Sequence, residues 1–296
     1  MSSINWSWGE WQQLYPGVEW AVGYNPAIPF SADAIPFPPN VPHSGNVNIL
    51  RIDLGNPKIS FLSTPGHDLN KDGVTVPRFL QIAFNDPELA CKAMVATNAN
   101  YFDNRTDVKN TIYGLAVSQG QTVPWQPFEP VNNVYPPYYP LLITKDNQAV
   151  IGGANSPRNP DTYTAVSGDL LILQNGQIAV DPPGPSTTTP IVAARTAIGI
   201  SASPSNSPRY LYMLTIDGLE TSTPAWEYYG ATIYDAAILM ELAGATDAIN
   251  VDGGGSTTMA RIDTAGVTLM NTPFGDDKTP RDLRPVGNCF AVVVGA

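Results

Sequence analysis

The stretch Ile249–Met259, INVDGGGSTTM, places one carboxylate, three consecutive glycines and three hydroxyl side chains in a row. A turn needs only one glycine, so a run of them implies that something approaches the backbone closely. Asp252 ends a strand-like run. After it, Gly253, Gly254 and Gly255 leave the N–H groups free to converge on an anion, and Ser256, Thr257 and Thr258 add hydroxyl donors. The competing reading is a tight turn in which Asp252 bonds its own backbone.

Other segments carry groups of the same kind. Arg195 opens the alternating apolar run RTAIGI, where a guanidinium can grip a phosphate with two parallel hydrogen bonds or simply form a surface ion pair. Asp217 in TIDG precedes a glycine at a strand end, as Asp252 does. Carboxylates at neighbouring strand ends could work as acid and base, or each could close a local turn. In TNANYFD, Asn98 and Asn100 lie two apart and share a face if extended. Paired amides suit a sugar or phosphate, or they satisfy loop carbonyls. Arg284 in DLRPVGN precedes a core strand and could join Arg195 in an anion clamp. In DLNKDG, Asp68, Asn70 and Asp72 before Gly73 match the first half of a calcium loop. The twelfth loop position is Phe79 rather than a bidentate acid, so a bound calcium would be structural, and a polar turn is the alternative.

Some chemistry is excluded. The only histidines are His43 and His67, and no G-x-S-x-G elbow, P-loop or GxGxxG fingerprint is present. A Ser-His-Asp or Cys-His machine and a multi-histidine zinc site are therefore set aside. What is left is carboxylates, arginines, amides, hydroxyls, or an oxygen-ligated metal. The net charge of −11 argues against a broad basic face for nucleic acid. A local arginine pair can still hold an anionic ligand. No run approaches the ~20 apolar residues of a membrane span. The start, MSSINWSWGEW, lacks the basic and apolar regions of a signal peptide. An intracellular protein or a chain beginning after cleavage is expected. Cys91 and Cys289 read as buried free thiols.

The elements that must position these groups are mostly short strands. Asn175-Gly176, Asp146-Asn147 and Gln119-Gly120 each mark a hairpin. VNILRIDL (47–54) and KISFLST (58–64) are expected to pair as another. CKAMVATNANYF reads as a helix end running into a strand. One helix is clear: Thr232 caps it with Asp235 three residues on, Ile233, Ala236, Ala237, Met240 and Ala243 share a face, and Gly244 stops it. TDAINV and RPVGNCFAVVVG read as strands. Prolines crowd residues 26–42, 124–140 and 182–190, which implies long ordered loops. The expected fold is α+β: a β-rich, mixed-sheet single domain with few helices and long proline-rich loops. Residues 1–44 form an N-terminal extension packed on a body of residues 45–296. Trp6, Trp8 and Trp11 near the start offer a sugar platform or, as the competing reading, packing.

In this order, TNANYF, RTAIGI, TIDG, GATDAINVDGGGSTTM with its preceding helix, and RPVGN resemble the phosphodiester glycosidase family. The resemblance covers roughly residues 45–296 and is most specific in the last hundred. It implies a hydrolase that cleaves a sugar–phosphate diester at the glycosidic bond, releasing an N-acetylglucosamine-like sugar and a phosphomonoester. It implies Asp252 and Asp217 as catalytic groups, with Asn98, Asn100, Arg195, Gly253, Gly254, Ser256, Thr257 and Arg284 around the substrate. No cofactor is required beyond a possible structural calcium, and an extracytoplasmic location is implied. The proline-rich start, the DLNKDG turn, and Ala99 and Asn100 where some relatives carry glycine depart from the pattern. The alternatives are a non-catalytic glycan-binding module and a metal-assisted phosphodiesterase that breaks the P–O bond.

Overall fold

The computed structural model describes residues 6–24, 47–64, 73–89, 91–103, 111–123, 137–182, 193–201, 209–218, 230–277 and 279–295. Asp68, Asn70, Asp72, both histidines and nearly all of the three proline-rich stretches lie outside these residues.

The described chain is β-rich, with two α-helices, α1 (Val76–Phe84) and α2 (Ile233–Ala243). A large sheet of nine strands has Val47–Asp53, Tyr210–Ile216, Arg195–Ile200, Asp247–Asn250 and Leu170–Gln174 side by side. A second sheet centres on Thr162–Gly168 and Tyr139–Thr144. A third places Cys91–Asn98 between Met259–Asp263 and Cys289–Gly295. Among the described residues the mixed sheet expected from the sequence is not seen: these neighbouring strands all run antiparallel. Parallel neighbours need long crossovers, usually helical, and the two helices are used otherwise.

The core is built in layers. Phe290, Val292 and Val294 face a central cluster between the large and third sheets, while Cys289, Ala291 and Val293 face the other side under α1. That alternation is the period of a strand buried on both faces. Phe61 stacks on Phe290 with ring centroids 5.7 Å apart. The far side of the large sheet is covered by α2. Trp6, Trp8 and Trp11 pack there too, so the tryptophans of the start are packing residues. The two thiols sit at opposite ends of one strand pair, Cys91 beside Gly295 and Cys289 beside Asn98, and both are free.

Several local expectations hold. Helix α2 has its capping box at Thr232 and Asp235, and Gly244 ends it at φ 98°. Asn175 and Gly176 turn their hairpin at φ 50° and 73°. Others do not. Residues 47–53 and 59–63 do not pair, since a turn through Asp53, Asn56 and Ile59 carries the chain from the large sheet to the third. Leu50 and Ile52 then meet Ile59 and Phe61 face to face in the central cluster. Residues 91–98 are strand throughout, and the helix lies earlier. Thr75 caps α1 by accepting the Arg78 N–H, and Val76, Phe79, Leu80 and Ala83 form its buried stripe. The N-terminal stretch is no mere covering: Val18–Tyr24 pairs along Val47–Asp53 within the large sheet.

Candidate active site

The ends of strands from the three larger sheets converge around Asp252. Its own strand, Asp247–Asn250, lies between Arg195–Ile200 and Leu170–Gln174 in the large sheet. The Asp252 N–H donates to Ala99 O at 2.9 Å, just past the end of Cys91–Asn98 in the third sheet. A single residue, Asp169, links Thr162–Gly168 of the second sheet to Leu170–Gln174 of the first.

The glycine run has a different cause at each position. A Cβ on Gly253 would lie 2.8 Å from the Ala194 carbonyl oxygen. Gly254 sits at φ 56° and donates its N–H to that same oxygen at 2.9 Å. A Cβ on Gly255 would lie 2.5 Å from Nη2 of Arg284, so the guanidinium rests directly on the loop. Close approach is therefore the reason for the glycines, but the anion nest expected from the sequence is not what forms. The Gly253 N–H is taken by the Asp252 carboxylate at 2.9 Å. Those of Ser256 and Thr257 close a 3-10 turn onto Gly253 and Gly254, each at 3.1 Å.

Asp252 is 8% exposed, and burial pushes its carboxyl up to about 7. Hydrogen bonds from Ser256 and Gly253 and the charge of Arg284 oppose that shift, while the charge of Asp169 adds to it. Arg284 donates from Nη1 to Ser256 Oγ at 3.4 Å and pairs through Nε with Asp276 at 2.6 Å. Ser256 thus joins the arginine to the carboxylate. Arg195 is buried, and its Nε donates to Ala231 O at 3.1 Å. Its charge also acts on Asp169 and Tyr101, which places it on the same side.

Not every expected residue shares this surface. Asp217 is buried, and desolvation raises its carboxyl to about 7. It accepts from Asn271 Nδ2 at 2.7 Å and from the Thr272 N–H at 2.8 Å. Asn271 in turn donates to Thr257 O at 3.1 Å, so Asp217 braces the back of the glycine loop. Asn98 and Asn100 are fully buried. The Asn98 amide donates to Asp252 O and accepts from Thr196 Oγ1 at 2.9 Å and the Thr258 N–H at 3.2 Å. Asn100 donates to Tyr113 O at 2.9 Å and accepts from Asn288 Nδ2 at 2.9 Å and the Ser167 N–H at 3.1 Å. These amides satisfy loop groups, which is the second of the two readings the sequence left open. Thr257 is also buried, and its hydroxyl donates to Thr196 Oγ1 at 3.3 Å, since the Thr196 proton goes to Asn98.

A phosphodiester glycosidase family model matches residues 92–293, which include Asp252 and every group just described. The chain belongs to the phosphodiester glycosidase family. The catalytic domain of zebrafish N-acetylglucosamine-1-phosphodiester alpha-N-acetylglucosaminidase, auto-inhibited by its pro-peptide, has a similar fold. Its TM-score is 0.58 at 16% identity, over 99% of this chain and 88% of that one. A putative exported protein from Burkholderia pseudomallei gives a TM-score of 0.52 at 14% identity, over 83% and 73% of the two chains. A hypothetical protein from Synechocystis gives 0.50 at 13% identity, over 95% and 62%. No match was found among proteins of curated function.

Sequence reasoning passed over Asp169, Tyr101 and Asn250, which lie beside Asp252 in this cluster. Asn250 is fully buried and donates to Asp169 Oδ1 at 2.9 Å and to the Tyr101 hydroxyl at 3.1 Å. Tyr101 hydrogen bonds to Asp169, whose carboxyl is itself raised by burial. A signal for Asp169 was available: like Asp217 and Asp252, it adjoins a glycine at a strand end.

Proposed function

We propose that this chain hydrolyses a sugar–phosphate diester at the glycosidic bond and releases an N-acetylglucosamine-like sugar and a phosphomonoester. The observation that carries this reading is Asp252, a carboxyl held near neutrality by burial and flanked by a guanidinium. A site that only grips sugar has no need of a titrating group poised near neutral pH.

In this reading Asp252 takes a proton from water as the water oxygen attacks the anomeric carbon. The bond from that carbon to the phosphate oxygen breaks, and its electron pair leaves with the phosphomonoester. A phosphomonoester is a good leaving group, so little acid assistance is needed. A raised pKa favours proton transfer over direct nucleophilic attack, which would call for a fully ionised carboxylate. Arg284, with its bond to Ser256, receives the charge growing on the phosphate, and Arg195 supports it from behind. Asp217 contributes by holding Asn271 and Thr272, and through them the glycine loop. Asn98 and Asn100 hold the strand ends in place. Calcium, if bound by Asp68, Asn70 and Asp72, is structural. An extracytoplasmic location belongs to the same proposal and follows from the family resemblance.

The test is hydrolysis of a chromogenic phenyl phosphodiester of N-acetylglucosamine, with and without chelator, with products identified by mass. Free sugar produced in the presence of chelator supports the proposal. Sugar phosphate as the product, lost on chelation, replaces it with a metal-assisted phosphodiesterase. Binding without any product across a panel of sugars replaces it with a glycan-binding module.

A further inference from the structure

We propose that Asp169 is a positioning residue for Asp252: clamped by Asn250 and Tyr101, its negative charge helps to hold the proton on Asp252. The activity arm of its test rests on the function proposed above; the spectroscopic arm does not.

The clamp starts with the backbone. Asp169 is the one-residue link between two sheets, and its N–H donates to Asn250 O at 3.1 Å. The residue before it passes so close that a Cβ on Gly168 would lie 2.0 Å from Asn250 O. The carboxylate is therefore delivered to one place. Asn250 stands two residues before Asp252, and Tyr101 two after Ala99, whose carbonyl accepts the Asp252 N–H at 2.9 Å. Both carboxylates thus hang on the same two segments.

The Asn250 amide shows what this arrangement serves. It turns its nitrogen to both Asp169 and Tyr101, while its own buried Oδ1 has no hydrogen-bond partner among the described residues. An unmet buried acceptor is costly. The opposite orientation would let Oδ1 accept from Tyr101, but it would set an amide oxygen against the Asp169 carboxylate. The observed orientation is the one an ionised Asp169 requires. The charged and titratable groups acting on Asp252 are Arg284 and Asp169, and Tyr101 feels both carboxylates. Arg195 acts on Asp169 and Tyr101. Of these, Asp169 is the group that opposes ionisation of Asp252.

The experiment compares Asp169→Asn with the wild type in the full chain. Asn keeps an acceptor for Asn250 and removes the charge, with an amide nitrogen in place of one carboxylate oxygen; if that variant does not fold, Asp169→Ser serves the same end. Selective carbon-13 labelling of aspartate carboxyls follows the Asp252 resonance through a pH titration, with Asp252→Asn giving the assignment. The resonance is expected to titrate at lower pH in the variant. In the kinetic arm, the ratio of kcat/KM at pH 5.5 to that at pH 8 should rise about threefold or more, which corresponds to half a pH unit of displacement. An Asp252 titration at the same pH in both proteins overturns the proposal, as does a uniform fall of kcat/KM at every pH. If the wild type turns over no phosphodiester, the proposed function fails, and the titration alone still decides the role of Asp169.

Discussion

Replacing Asp252 with Asn should remove activity and, above neutral pH, stabilise the fold. Burial raises this carboxyl from 3.8 to about 7. At about 1.4 kcal/mol per pH unit, ionising it inside the folded protein costs up to ~4 kcal/mol. The folded state binds this proton more tightly than the unfolded chain does. Stability from this group is therefore complete below about pH 4, falls as pH rises through about 7, and is level above that. An asparagine never ionises and escapes the loss. Its Oδ1 can keep the Gly253 N–H, while an amide nitrogen replaces the oxygen facing Ser256, at ~1–2 kcal/mol. The variant should therefore be less stable than the wild type near pH 4.5 and more stable near pH 8.5, by up to ~2–3 kcal/mol, or several degrees in Tm. Asp217 titrates in the same direction but is present in both proteins, so it cancels in the difference. Turnover should fall by at least ~100-fold. The assay is Tm by calorimetry from pH 4.5 to 8.5, paired with kcat on the phenyl phosphodiester. A Tm deficit of equal size at every pH would show that the carboxyl is not strained by burial. Near-normal turnover in a folded variant would remove Asp252 from catalysis.

Gly253→Ala should cost ~1–3 kcal/mol in denaturant unfolding, because the new Cβ meets the Ala194 backbone oxygen at 2.8 Å and neither chain can yield. Gly255→Ala should leave stability nearly unchanged and raise KM, since its Cβ meets the movable end of Arg284. Asp217→Asn sets an amide nitrogen against the Asn271 or Thr272 donor. It should cost ~1–3 kcal/mol at pH 5, read by thermal unfolding, with kcat lowered less than in the Asp252 variant. Arg284→Lys keeps the charge but loses the planar fork, and KM for the phosphodiester should rise by about tenfold with a smaller change in kcat.

Local signals carried much of the fold. The Asn175-Gly176 turn and the Thr232 to Gly244 helix depend on a few neighbouring residues, and these residues state their conformations directly. What the sequence did not show was partnership at a distance. Residues 47–53 and 59–63 look like a hairpin because both alternate, but alternation only says that each strand has a buried face. It does not say that Phe61 lies under Phe290. Helix α1 was legible in Thr75 and in the spacing of Val76, Phe79, Leu80 and Ala83, and was passed over for the apolar run after it. In the site, Arg284 was expected to join Arg195 in an anion clamp, and it lies on the glycine loop, linked through Ser256 to Asp252. The amides were no plainer, because Asn98 and Asn100 can serve a ligand or a loop equally, and only the identity of their partners decides. Asp169 adjoins a glycine at a strand end, as Asp252 does, but its place near Asp252 depends on the meeting of two sheets.

Gly253 and Gly254 are best understood from the segment they touch. Ala193 and Ala194, just before Arg195, are approached from three sides. Besides Gly253, a Cβ on Gly218 would lie 2.5 Å from the Ala194 nitrogen, and one on Gly230 would lie 2.7 Å from the Ala193 oxygen. Glycines on three separate segments thus close on one short stretch of backbone. Gly218 follows Asp217, Gly230 precedes the cap of α2, and Gly253 follows Asp252. A side chain at any of them would push Arg195 away from the Asp252 loop. Their absence lets Arg195, the Asp217 brace and the Asp252 carboxylate share one rigid support. The glycines therefore act on the chemistry indirectly. They bring backbones close enough for a buried carboxylate and the guanidiniums around it to be held in fixed relation.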